Sequence, residues 1–242
     1  MLGRVTTEGF VPRLVTIITA TILVAVMMVS AWFPLIATDT LGRYAPMAEA
    51  FAAGEWSEAF HPRFGVGMSV LTGIACWASS LDGLSSCAMV SSAAWAIGAL
   101  FVWRIADRVF GASTAWFAFV LYLVCPQILL WGFEGLREPF KTLGVLMMTD
   151  ALLGCVGRMS RWWVAASLGA VILISFKPDA IALCGCFILA YGFVERLGRG
   201  FVAVVVTATV ALQPMCLLTW KWTGYWVPSV QFVTIFKRLT GD

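Results

Sequence analysis

From Leu14 to Ile36 no charged side chain interrupts the chain. A run of that length matches the ~20 apolar residues that cross a bilayer as a helix. Backbone inside hydrocarbon must satisfy its own hydrogen bonds, so a helix is the form such a run takes. Further apolar runs follow at Leu84–Trp103, Ala112–Trp131, Pro139–Val156, Trp162–Phe176, Ala180–Val194 and Phe201–Trp220. Of the 242 residues, 61% are hydrophobic and 12% charged, against about 25% charged in a soluble domain. The expectation is an all-α polytopic membrane protein, one transmembrane domain over residues 1–242, with no separate soluble domain. The first run is too long for a removed signal peptide and lacks a small-residue cleavage site, so it reads as a retained helix.

Two function classes drop out. The net charge of +3 includes no basic run of the kind that binds nucleic acid. The seven cysteines all lie in apolar runs without a CxxC pair, and His61 is the only histidine. They read as small buried hydrophobes, not as a metal or disulfide framework.

Positive charge sets the topology. Phe64 to Leu81 is apolar but rich in glycine and serine. If it spans, Arg104, Arg108, Arg158, Arg161, Arg196 and Arg199 fall outside. If it is a half-inserted helix on the outer face, those arginines join Arg4 and Arg13 in the cytoplasm. The second arrangement is the expected one. It gives about seven transmembrane helices, a cytoplasmic N-terminus, an outer C-terminus, and a first outer loop over residues 37–83.

That loop opens with Asp39, Arg43, Glu49, Glu55, Glu58, His61 and Arg63. Tyr44, Met47, Ala48 and Phe51 recur at helical spacing and predict an interfacial helix over Tyr44–Ala53, stopped by Gly54. Two more charged groups share the outer side: Glu134 with Arg137, Glu138 and Pro139, and Lys177 with Pro178 and Asp179. Acids and cations together on one face could bind a lipid phosphate and activate a hydroxyl. Each group alone has a plainer reading. Asp39 could cap the helix after it, Arg137 and Glu138 could pair, and Lys177 could snorkel to headgroups. Asp150 lies inside a span, where pairing with a neighbouring helix is expected. His61 reads better as an interfacial residue than as a ligand.

The order of these features is similar to the GT-C superfamily of polytopic glycosyltransferases. The carriers are a first span, then Asp39 and Tyr44, then Ala50 followed by Phe51, Gly54, Glu55 and Trp56 in the pattern F/L-x-x-G-[DE]-W, then a semi-polar helix. The chain most resembles the branch of dolichyl-phosphate-mannose protein mannosyltransferases and the aminoarabinose lipid A transferase. The turn from Arg104 to Gly111, the Glu138-Pro139 start of a span and the Lys177-Pro178 turn extend the resemblance over about residues 14–195. It implies a seven-span module with interfacial helices in the first outer loop. It also implies transfer of a sugar from a polyprenyl- or dolichyl-phosphate donor to a glycan, lipid or protein acceptor outside the cytoplasm. Asp39 would be the catalytic acid–base residue and Glu138 the second catalytic acid. Lys177 and, less strongly, Arg137 would meet the donor phosphate, while Arg43, Tyr44, His61 and Arg63 would line the substrate site.

The chain departs from that pattern where Asp39 is followed by Thr40 instead of a second acid, and where Phe64-Gly65-Val66-Gly67 replaces a proline-rich run. It also ends after the seventh span, where family enzymes usually continue. The chemistry is compatible with a divalent metal but does not demand one. A bacterial inner membrane fits better than the endoplasmic reticulum. Two rivals stay open: a non-catalytic subunit or scaffold needing a partner, and, with less support, a small transporter.

Overall fold

The computed structural model describes residues 10–61, 66–156, 162–176, 180–194, 198–223, 225–227 and 233. Among the described residues the chain is all-helical. The order is α1 (Phe10–Trp32), a π-helical turn (Thr40–Tyr44) leading into α2 (Ala45–Ala53), α3 (Trp56–Ala59), α4 (Val66–Ser79), α5 (Gly83–Phe110), α6 (Ala112–Val124), α7 (Pro126–Phe133), α8 (Glu138–Val156), α9 (Trp162–Phe176), α10 (Ile181–Val194) and α11 (Arg199–Thr223).

Local chemistry sets the boundaries. α1 stops at Trp32, short of the expected Ile36, because Pro34 pushes the residue before it out of helical conformation. Gly54 ends α2 in the left-handed conformation, φ 81°, which costs glycine little. Asp82 caps α5, its carboxylate accepting from the Ser85 amide at 2.7 Å. The expected single span Ala112–Trp131 is instead two helices, α6 and α7, bent by 52°. Pro126 supplies no amide proton to the helix before it and opens a new one.

Three helices among the described residues are long and apolar enough to cross a membrane: Leu14–Trp32, Gly83–Phe110 and Gly200–Thr223. The bent α6–α7 pair makes a fourth if it counts as one span. α4, α9 and α10 are apolar but shorter, and α8 carries Glu138, Lys141 and Asp150 along its length. Apolar side chains cover much of the surface. Met28, Val210, Leu189 and Phe193 are 60%, 63%, 61% and 84% exposed, a surface that suits lipid far better than water.

Side-chain and backbone contacts fix how the helices alternate. At one end, the Leu35 amide donates to the Phe133 carbonyl at 3.1 Å. There too the Gly83 amide donates to Glu49 Oε1 at 2.8 Å, Phe140 stacks on Phe176 at 3.9 Å, and His61 lies 5.2 Å from Trp222. At the other end, Arg104 and Arg108 of α5 meet Asp150 of α8 and the Trp162 ring that opens α9. So α1, α6–α7, α9 and α11 run toward the Asp39 end, and α5 and α8 run away from it. α4 does not follow this alternation. It starts with the Val66 amide on Met215 Sδ and ends at the α5 cap, so it lies across the Asp39 end. α8 and α9 pack closely, and a Cβ on Gly144 would come within 2.9 Å of the Gly169 carbonyl oxygen. Small residues at a crossing let two helices approach this way.

Candidate functional site

The site is assembled at the end where α1, α2, α5, α7 and α8 converge. After Pro34 the chain turns and re-enters helix. The Ala45 amide donates to the Thr40 carbonyl, closing a π-helical turn, a wide turn that recurs at functional sites. Asp39 precedes it in helical conformation, and its side chain makes no capping bond. The carboxylate instead pairs with Arg43 at 3.0 Å, with Asp39 52% and Arg43 41% exposed. An exposed pair of this kind contributes only about 0–1 kcal/mol to stability. Capping, the plainer expectation for Asp39, is therefore corrected.

Thr40 anchors the turn. It is fully buried, and its hydroxyl donates to the Glu134 backbone carbonyl. Ser91 of α5 donates to the Leu136 carbonyl at 2.8 Å. Between these anchors the chain reverses at Gly135, φ 68°, and delivers Arg137 and Glu138 to the start of α8. Glu138 stands in the first turn of that helix, where the helix dipole favours a carboxylate.

Tyr44 joins the two halves. It is 3% exposed, and burial first pushes its phenol up to about 12. Arg137 and Arg43 oppose that rise, while Glu138 and Asp39 reinforce it. All four charged side chains thus act on one phenol. The predicted stripe of the interfacial helix is what buries here: Tyr44, Met47 and Ala48 are 3%, 7% and 0% exposed. They pack inside the protein, beneath α4 and against α5, where a helix resting on the bilayer surface was expected.

Next to this packing lies an apolar groove of about 420 Å³. Met27, Ile74, Val90, Phe140, Leu143 and Phe176 line it, contributed by α1, α4, α5, α8 and α9. Tyr44 belongs to the same packed cluster as Val90, Phe140, Leu143 and Phe176. Tyr44 thus links the charged groups to the wall of the apolar groove. Sequence reasoning did not find this groove, because its walls come from five helices far apart in the chain and no local pattern marks them.

Of the expected site residues, the structure brings Asp39, Arg43, Tyr44, Arg137 and Glu138 together. His61 lies against Trp222 at the end of α11. Lys177 and Arg63 lie outside the described residues. Glu134 contributes its backbone carbonyl. Asp150 meets its expected partner on a neighbouring helix, at the opposite end of the bundle. Among the described residues no three His, Cys, Asp or Glu side chains converge as a metal site. Comparison of the chain with protein-family models, with curated proteins and with solved structures finds no match.

Proposed function

We propose that this chain is a membrane glycosyltransferase of GT-C type, with seven crossings and its Asp39 end outside the cytoplasm. The observation that carries the reading is an apolar groove whose wall packs in one cluster with Tyr44, the phenol on which two acids and two arginines act. A lipid-phosphate sugar has that polarity, with a long apolar tail and an anionic head. The arginines at the inner turn after α5, with those near α9 and α11, support the orientation. The alternation of helix ends supports the count.

In the proposed step the donor's tail lies in the groove and its phosphate faces Arg137, with Lys177 as a second cation. Asp39 accepts the proton of an acceptor hydroxyl. The acceptor oxygen bonds to the anomeric carbon from the face opposite the phosphate, and the carbon–oxygen bond to phosphate breaks. The electron pair leaves on the phosphate oxygen, where cations stabilise it. The product is a lipid phosphate and an inverted glycoside. Glu138, in the first turn of α8, serves as the second acid. The step is written without a metal.

The Asp39–Arg43 pair favours a second reading. It engages the carboxylate that would act as base, as a non-catalytic subunit that keeps the fold could do. The groove gives a test between them. Ala93 lines it and is partly exposed, so Ala93→Phe fills it without entering the packed core. A donor analogue, measured by native mass spectrometry, should bind wild type and lose at least about tenfold in affinity for the variant. Equal binding to both proteins would remove the groove from the mechanism.

A further inference from the structure

At the end opposite Asp39, Asp150 is fully buried in α8. Two guanidinium groups from α5 reach it: Arg104 Nη2 at 3.0 Å and Arg108 Nη1 at 2.7 Å. Arg108 Nη1 also donates to the Asp150 backbone carbonyl at 2.7 Å. The Trp162 ring lies 4.2 Å from the Arg108 guanidinium and 5.3 Å from that of Arg104. We propose that this Arg104–Arg108–Asp150–Trp162 cluster binds the phosphodiester headgroup of an anionic phospholipid in the leaflet at that end. The proposal does not rest on the transferase reading.

One guanidinium neutralises a buried carboxylate; here there are two. Arg104 and Arg108 keep 33% and 28% of their side chains at the surface. The carboxylate therefore orients two forks and leaves part of each outward. One carboxylate held between two guanidiniums leaves a net positive group at this end. It is a fixed pair of forks, the geometry that suits phosphate oxygens. The Trp162 ring attracts both guanidiniums and lowers the cost of ordering them.

The surroundings favour a lipid over a soluble phosphate. Val109 and Phe110, which follow Arg108, are 49% and 70% exposed, and Trp163 beside Trp162 is 40% exposed. Apolar and aromatic side chains flanking cations at helix ends match the headgroup boundary, where basic pockets between helices take anionic lipids.

The test uses the purified full chain in a neutral detergent. Phosphatidylglycerol, phosphatidylcholine and inorganic phosphate are titrated separately and read by native mass spectrometry. Phosphatidylglycerol should bind wild type at least about tenfold more tightly than phosphatidylcholine, and millimolar inorganic phosphate should not displace it. Arg108→Gln should remove that preference while phosphatidylcholine binding stays unchanged. Asp150→Asn, which keeps both guanidiniums, should preserve the preference even if its thermal stability falls. Equal affinity of wild type for the two lipids would overturn the site. So would a full preference in Arg108→Gln with native helical circular dichroism. Displacement by inorganic phosphate would overturn the choice of lipid as ligand.

Discussion

At the scale of single residues, Thr40 and Tyr44 decide whether the charged cluster holds its shape. Thr40→Val leaves the Glu134 carbonyl without its donor, and a lost partner of that kind costs about 1–3 kcal/mol. Lower thermal stability in detergent, restored by Thr40→Ser, is the expected result. Tyr44 makes a prediction in pH. Its folded value near 12 stands above the ordinary 10.0, so the unfolded chain loses the phenolic proton first. Its contribution is fully present below pH 10 and is lost as pH rises from 10 toward 12. Tyr44→Phe should flatten the alkaline fall in stability across that window, measured by thermal melts at stepped pH. Asp39 and Glu138 were legible in the sequence as acids at the ends of apolar runs, and Tyr44 as the first residue of a helical stripe. The ion pair of Asp39 with Arg43 was not. It depends on the π-helical turn between them, and no residue in Thr40–Tyr44 announces a wide turn over an ordinary one.

At the scale of elements, the stripe of α2 and its glycine stop could be read from spacing alone. Its burial could not, because α4 covers it and the placement of α4 depends on distant contacts with α9 and α11. The break between α6 and α7 was visible as Pro126 yet was read through, since the apolar run continues past it. The α5–α8 clamp was half legible. Asp150 inside a span demanded a partner, but Arg104 and Arg108 were assigned to topology, and their shared face on α5 becomes a site only once α8 is set beside it. Asp150→Ala strands two arginines against apolar surface, and breaking such a pairing costs about 3–5 kcal/mol. A large fall in melting temperature is expected, with Asp150→Asn less severe. Gly154 makes a related prediction. A Cβ there would lie 2.2 Å from the Trp162 ring, so Gly154→Ala should displace that ring and lower stability, read as a shift in tryptophan emission with the melt.

At the scale of the whole molecule, the two ends are proposed to lie on opposite sides of a membrane. Cysteines introduced at Glu55 and Asp107, in a background lacking native cysteines, should respond oppositely to an impermeant maleimide in intact cells. Glu55→Cys should label and Asp107→Cys should not; the reverse pattern would invert the orientation. The proposed reaction is transfer of a sugar from a lipid phosphate by the Asp39 cluster and the groove. It is tested most directly by purified protein in nanodiscs, given a panel of labelled polyprenyl-phosphate sugars and an envelope extract as acceptor. Wild type should move label from one donor, and Asp39→Asn should do so about 10²–10⁴-fold more slowly, the span usual for a general base. Label moving equally well in Asp39→Asn, or from no donor in wild type, would contradict it.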